Sequence, residues 1–351
     1  YGDAMCNKSI SYISGLYKIY DEMLVNVLDH VVRCRDSDKP VKEIRVSICK
    51  DSGKIEVYNS GEGIEIVKHP EHKIYIPELI FGNMLTSTNY DDEQERTIGG
   101  QNGIGAKACN IYSTSFVVET VDAKHKKHYI QEFRNNMSEK NEPVITKYTK
   151  YPFTKFSFVP DYKRFGVSNL SDDMMDLMKK RVYDLCALTP PEVKVFYNEI
   201  KLEIKNFELY TNLYLGSSKT DNPRVICSDD NNRWEVCVSS SDNGFQHVSF
   251  VNGIYTIKGG KHVDYITNQV TKKVCDIIQK RKKITVKQHT LKEHIFIFVK
   301  STINNPTFDS QTKETLTTPY SKFGSKYDID EKTIEKIYKL DFVKDVINMC
   351  S

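Results

Sequence analysis

Gly99-Gly100-Gln101-Asn102-Gly103-Ile104-Gly105-Ala106-Lys107 is the stretch on which the reading of this 351-residue chain turns. Four glycines and a lysine fall together, after a polar run at 89–97 and before a predicted helix at 108–112. Glycine lets backbone approach a ligand closely and adopt conformations closed to other residues. A glycine loop feeding a helix start presents free N–H groups to an anion. By itself the stretch also fits a flexible surface hairpin. Two familiar nucleotide motifs nearly match it, and both fail. A P-loop ends in Gly-Lys-Ser/Thr, whereas Ala106-Lys107-Ala108 stands here. Gly103, Gly105 and Ala108 match the dinucleotide fingerprint, but that motif follows directly on a buried strand. Tyr90-Asp91-Asp92-Glu93-Gln94-Glu95-Arg96 is no such strand. A phosphate loop of a third kind is the expectation.

Upstream, Leu16, Ile19, Tyr20, Met23, Leu24, Val27, Leu28 and Val31 recur at three- and four-residue spacing and predict a helix over 15–33. Glu22, Asn26 and Asp29 fall on its other face. Such a stripe is ordinarily solvated surface, yet the residue types suit chemistry. Glu can act as a general base, Asn as a neutral oxygen ligand for a hard cation such as Mg²⁺, and Asp as a hydrogen-bond acceptor. Alternating runs at 43–49 and 54–59 about Asp51-Ser52-Gly53 predict a hairpin. It leads into Asn59-Ser60-Gly61-Glu62-Gly63, an ordinary loop or a glycine turn whose Asn59 can pair with a base edge. A short helix is predicted over 76–85, followed by Thr86-Ser87-Thr88-Asn89, a cluster of small hydrogen-bonding residues.

Downstream, strands are predicted at 114–121, 127–133, 144–150 and 154–160, then a helix at 174–187 ending before Pro190-Pro191. A hairpin at 193–197 and 199–204 turns about Asn198. The pattern breaks down over 207–232, and the domain boundary is placed there. Beyond it come strands at 233–239 and 246–251, a helix at 262–280, a strand at 294–300, an irregular loop at 304–316 and a final helix at 334–349. Lys280-Arg281-Lys282-Lys283 is the densest basic run, either a solvated helix end or a contact for phosphates.

At this length the chain buries a sizeable core and divides into two domains, 1–215 and 216–351. Its 28% charged and 39% hydrophobic residues describe an ordinary globular protein. No run of about 18 apolar residues exists to span a membrane. A net charge of +3 is too small to announce a nucleic-acid binder, so any basic site is local. The nine cysteines show neither C-x-x-C pairing nor a regular framework and read as reduced thiols of a cytosolic or nuclear protein. No signal peptide is visible. The chain begins at Tyr1 and ends at Ser351 on what reads as a continuing helix, so a fragment of a longer protein is expected.

Four elements thus ask for one ligand: the Glu-Asn-Asp helix, the strand-end Asn-x-Gly-x-Gly, the hydroxyl and amide cluster, and the glycine loop with its lysine. Their order and spacing resemble the GHKL (Bergerat-fold) ATPase superfamily, and within it the ATPase region of eukaryotic-type type II DNA topoisomerases. The resemblance covers nearly the whole length. It is carried by Gly15-Leu16-Tyr17-Lys18-Ile19-Tyr20-Asp21-Glu22-Met23-Leu24-Val25-Asn26, Leu79-Ile80-Phe81-Gly82, Thr86-Ser87-Thr88-Asn89-Tyr90-Asp91-Asp92, the glycine loop, and Asn305-Pro306-Thr307-Phe308-Asp309-Ser310-Gln311-Thr312-Lys313-Glu314.

The resemblance implies an α+β architecture: a Bergerat-fold ATPase domain with a mixed sheet backed by helices, then a ribosomal-S5-like α/β transducer domain. It implies ATP as substrate, Mg²⁺ as cofactor, double-stranded DNA as partner, no membrane association, and a homodimer in the full-length enzyme. Residue by residue, Glu22 would activate the attacking water, Asn26 would hold Mg²⁺, and Asp29 would stand in the nucleotide site. Asn59 would meet the adenine side, and Ser87, Thr88 and Asn89 the sugar and phosphate. Gly100, Gln101, Asn102, Gly103, Ile104, Gly105, Ala106 and Lys107 would form the lid loop that cradles the triphosphate. Gln311, Thr312 and Lys313 would reach the γ-phosphate from the second domain, so that ATP locks the domains and hydrolysis releases them. Lys280, Arg281, Lys282 and Lys283 would face DNA.

Departures carry expectations too. Gln101 stands where relatives carry a basic residue, and Ile104 where an aromatic is usual, which predicts weaker nucleotide affinity. His30 replaces an asparagine. The arm that the family exchanges between protomers is almost absent before Gly15, which weighs against ATP-driven dimerisation of this chain alone. Such divergence suits a viral or protist relative, and the setting is then nuclear, or a host nucleus, viral factory or virion. Two rivals remain. A mismatch-repair-type clamp ATPase shares the two-domain plan, and Gln311-Thr312-Lys313 argues against it. A non-hydrolytic nucleotide-gated DNA clamp is the other, and Glu22 argues against that.

Overall fold

In a computed structural model of the chain, residues 4–83 and 103–351 are described. Ser87, Thr88, Asn89, Gly100, Gln101 and Asn102 therefore lie outside the described residues. The chain divides into two compact units, Asn7–Asn206, and Phe207–Ser351 with Tyr1–Cys6.

The first unit runs α1 (Ser14–Arg33), β1 (Glu43–Cys49), β2 (Lys54–Ser60), α2 (Ile76–Gly82), α3 (Gly103–Ile111), β3 (Ser113–Asp122) and β4 (Lys127–Arg134). It continues through β5 (Glu139–Lys140), β6 (Val144–Lys147), β7 (Phe153–Pro160), α4 (Asp172–Leu188), β8 (Lys194–Tyr197) and β9 (Ile200–Lys201). Among the described residues these strands make a nine-stranded sheet ordered β5-β4-β3-β7-β2-β1-β8-β9, with β6 on β4. β1 and β8 run parallel, while β2 pairs antiparallel with both β1 and β7, so the sheet is mixed.

Local chemistry sets the turns. Gly53 takes a left-handed φ of 72° between β1 and β2, and Asn198 and Glu199 (φ 46° and 68°) turn β8 into β9. Register then sets the buried face. Ile55, Phe158 and Phe116 line up across β2, β7 and β3, followed by Val57, Phe156 and Val118, and then by Asn59, Thr154 and Thr120. Two apolar rows are thus succeeded by a buried polar one. α1 packs against β2, α3 and α4, and α2 against α3.

The glycine stretch corrects one expectation. α3 starts at Gly103 rather than at 108, so Gly103, Ile104, Gly105, Ala106 and Lys107 are helical rather than loop. Each helical glycine costs about 1 kcal/mol relative to alanine. Burial of Ala106, Cys109 and Asn110 between α1 and α2 offsets that locally poor propensity.

The second unit contains α5 (Phe207–Leu215), β10 (Arg224–Ser228), β11 (Trp234–Ser240), β12 (Gln246–Val251), β13 (Ile254–Tyr255) and α6 (Lys261–Lys282). α7 (Gln288–Lys292), β14 (Ile295–Ser301), α8 (Glu331–Tyr338) and α9 (Asp341–Cys350) follow. Its sheet is ordered β10-β11-β14-β12-β13, with β12 and β14 parallel. α5 and β10 occupy the stretch in which the sequence pattern broke down. Tyr210 of α5 packs edge-on against Phe250, and Tyr214 against Phe298. Val263, Ile266, Val270 and Val274 of α6 join Trp234, Val236, Ile297 and Val299 in a core cluster. The single helix expected at 334–349 is two, broken at Leu340, which is extended (φ −71°, ψ 152°). The break lets Ile334 and Ile337, and then Phe342, Val343 and Val346, all enter that core. Among the described residues no helix is long and apolar enough to cross a membrane.

Candidate functional site

Helix α1 is fixed by two anchors on α4. Tyr20 Oη donates to the Met178 carbonyl at 2.8 Å. Arg181 Nε donates to Asp21 Oδ1 at 2.5 Å, with the guanidinium fully buried. Asp184, also buried, lies 3.6 Å from Arg181 and 3.2 Å from Lys180. Burial opposes the Arg181 charge, yet Asp21, Tyr17 and Asp184 together hold the guanidinium above its ordinary pKa. These contacts set the rotation of α1, and with it the direction of the next residue.

That residue is Glu22, whose side chain is 18% exposed and whose Oε1 pairs with Lys18 Nζ at 2.9 Å. The other oxygen faces α3. A Cβ built on Gly105 would stand 2.8 Å from Glu22 Oε2 and 3.2 Å from Glu22 Cβ, so no larger residue fits without displacing the carboxylate. Gly105 lies in the first turn of α3, where backbone N–H groups lack intrahelical partners and the dipole favours an anion. The structure thereby brings together two elements far apart in sequence, the carboxylate of α1 and the C-terminal half of the glycine stretch.

Asn26, one turn along α1, is only 7% exposed. Its side-chain amide carries a neutral oxygen of the type that ligates a hard cation. Asp29 is exposed, and its charge acts on Arg33. The three residues that share a stripe in the sequence therefore differ in setting.

Asn59 is 4% exposed, its Nδ2 donating to the Ser60 carbonyl at 3.0 Å. Beside it in the polar row, Thr154 Oγ1 lies 2.9 Å from Thr120 Oγ1, which also accepts from Ile64 N at 3.0 Å. Gly63 lets the chain lie directly on β3, since a Cβ there would stand 2.0 Å from the Val121 carbonyl. His30 ties α1 to this turn: its Nε2–H donates to the Glu62 carbonyl (2.6 Å), and its Nδ1 accepts from Arg33 (2.9 Å). Burial, helped by the Arg33 charge, pushes the His30 pKa down to about 4, so the ring is neutral. Thr120 and Thr154 were missed in the sequence. Their signal was a polar residue at the buried phase of an alternating strand.

In the second unit, residues 307–317 fold back as a short excursion. Thr317 N donates to the Thr307 carbonyl (2.8 Å), and Asp309 N to that of Thr315 (3.2 Å). Gln311 and Thr312 are exposed at its tip, and Lys313 is half-buried with a left-handed φ of 55°. The basic run is the last turn and cap of α6, where cations complement the helix dipole. Arg281 makes a two-pronged pair with Glu335 (2.7 Å each), while Lys280, Lys282 and Lys283 are exposed.

Known proteins share this architecture. A family profile described as DNA gyrase B matches residues 195–351. The DNA topoisomerase 2 of Pisum sativum is 46% identical over 351 residues, 99% of this chain but 24% of that protein. The chain thus spans about a quarter of the length of such curated relatives. The crystal structure of the ATPase region of Saccharomyces cerevisiae topoisomerase II matches with a TM-score of 0.86 at 43% identity, covering 99% of this chain and 90% of that one. The ATPase and transducer domains of DNA topoisomerase II from Balamuthia mandrillaris match at 0.84 and 38%, covering 97% of this chain and 86% of that one. The expected α+β fold, a mixed sheet with helices, is the fold of these neighbours. With such identity sustained across nearly all of a solved ATPase region, the chain belongs to the type II DNA topoisomerase family, in the segment corresponding to that region.

Proposed function

We propose that this chain is the ATP-binding and ATP-hydrolysing part of a type II DNA topoisomerase, coupling nucleotide turnover to gate closure and strand passage of double-stranded DNA. The observation that carries the reading is the Glu22 carboxylate held against the first turn of α3. A base positioned beside a helix N-terminus is what attack of water on a terminal phosphate requires. In this reading Glu22 takes the proton of the attacking water, a contribution of roughly 10²–10⁴-fold. The free N–H groups of α3, with Lys107, receive phosphate oxygens and oppose the charge that develops there. Asn59, with Thr154 and Thr120 behind it, supplies polar contacts for the base. The buried Asn26 amide fits Mg²⁺, which when bound neutralises phosphate charge. Gln311, Thr312 and Lys313 act on the γ-phosphate.

Exposed Lys280, Lys282 and Lys283 suit the DNA backbone, whereas Arg281 is engaged by Glu335. The full enzyme is read as a homodimer. The relatives named above are plant, yeast and amoeba proteins, which supports a nuclear setting over a viral one. Glu22→Gln tests the reading. A non-hydrolysable ATP analogue should bind within a few-fold of wild type while phosphate release falls by roughly 10²–10⁴. Normal turnover in that variant would remove Glu22 from the chemistry.

A further inference from the structure

The excursion that carries Gln311, Thr312 and Lys313 is sewn to one turn, residues 258–261. Lys258 N donates to the Glu314 carbonyl, Leu316 N to that of Gly259, and Lys261 N to that of Leu316, each at 3.0 Å. Lys258 Nζ adds an ion pair to Glu314 at 2.9 Å. Gly260, at φ 130°, leaves no room for slack, since a Cβ there would stand 2.4 Å from both Leu316 N and O. Wherever this turn sits, the lysine tip follows.

Beneath the turn lies a buried polar chain. His262, fully buried at the start of α6, has its Nε2 2.9 Å from Thr256 Oγ1. Thr256 Oγ1 is 2.7 Å from Ser249 Oγ, which lies 2.9 Å from the Thr256 carbonyl. One proton assignment satisfies every hydroxyl: His262 Nε2–H donates to Thr256, Thr256 O–H to Ser249, and Ser249 O–H to the Thr256 carbonyl. Gly259 N donates to that same carbonyl at 3.0 Å. His262 Nδ1 is then a bare acceptor, and among the described residues it has no hydrogen-bond partner. A buried imidazole with one unmet nitrogen costs free energy wherever it merely fills space. Its one satisfied bond points at the residue that pins the turn.

We propose that His262 is a positioning residue for Lys313, acting through Thr256 and the 258–261 turn. This rests on the reading of Lys313 as the residue that acts on the γ-phosphate, and two readouts keep the proposal and that reading apart. The first is amide hydrogen exchange at Leu316 and Lys261, which reports the clamp whatever Lys313 does. His262→Leu should speed exchange there at least tenfold, and His262→Gln, whose amide reaches the Nε2 position, should restore protection. The second is steady-state ATP hydrolysis. His262→Leu should lower kcat about tenfold with KM for ATP unchanged, again rescued by Gln, and Lys313→Ala should show the same split. Faster exchange with unchanged turnover in both His262→Leu and Lys313→Ala would refute the role of Lys313 and leave the clamp standing. Unchanged exchange in folded His262→Leu overturns the proposal. Should that variant not fold, Thr256→Val, which keeps volume and removes the hydroxyl, carries the same expectation and the same refutation.

Discussion

Gly105→Ala separates chemistry from folding. The added Cβ would stand 2.8 Å from Glu22 Oε2, where ordinary contact begins at 3.4 Å, so the carboxylate must retreat by about 0.6 Å. Glu22 Cβ at 3.2 Å bars the easy escape of sliding the whole side chain sideways. Misplacing a catalytic group by about 1 Å costs on the order of 10²-fold, so a shift of this size should lower kcat on the order of tenfold, about 1.4 kcal/mol in barrier. Stability should hardly change. Alanine in place of a helical glycine contributes about 0.5–1 kcal/mol, and the contact to be relieved is with the flexible end of the Glu22 side chain, whose retreat costs a similar amount. The assay pairs single-turnover phosphate release at saturating ATP with a thermal melt and binding of a non-hydrolysable analogue. Turnover within twofold of wild type, in a folded variant that binds the analogue normally, would show that the carboxylate does not work from its place beside α3.

Arg181→Met should cost about 3–5 kcal/mol in urea denaturation, because it strips the buried Asp184 of one partner and Asp21 of its own. A loss below about 1 kcal/mol would mean that the pair does not hold α1. Stability should also fall with acid in a defined window. A histidine whose folded pKa is depressed to about 4 is favoured in its neutral form, so its contribution is complete above the unfolded value near 6.5 and is lost as pH drops toward 4. The slope should be about 1.4 kcal/mol per pH unit for His30, and His262, lowered by burial to about 3, adds in the same direction. Urea midpoints of His30→Gln measured from pH 7 to 4 should fall less steeply than wild type, and parallel curves would count against a neutral buried His30.

What the sequence made legible, and what it hid, divides along the range of the interactions. α1 was readable because its apolar residues recur without interruption and its neighbours demand nothing else of it. The turns at Gly53 and Asn198 were readable because positive φ favours those residue types. α5 was not, because Phe207-Glu208-Leu209-Tyr210-Thr211-Asn212-Leu213-Tyr214-Leu215 carries aromatics that suit strand and helix alike. Only the sheet residues Phe250 and Phe298 decide between them. The start of α3 and the break at Leu340 fail for the same reason. Local propensity argues one way, and burial from distant segments outweighs it.

The site follows the same division, with a sharper consequence. Glu22, Asn26 and Asp29 stood out as types on one helical stripe, but whether a stripe is solvent or site depends on what covers it. Gly105 covers Glu22, and Asp29 is left exposed. Asn59 was legible beside its glycine turn. Its partners Thr154 and Thr120 were not, because only the β2-β7-β3 register makes them a row. Both cases point to one construction rule for this unit. Apolar rows fix the sheet and α1 in register, and the polar residues that succeed them, Asn59, Thr154 and Thr120 on the sheet and Glu22 and Asn26 on the helix, inherit that rigidity. In the role proposed for Glu22, a base held this way would lose little entropy when substrate arrives, and the packing beneath it would then matter to rate as well as to stability.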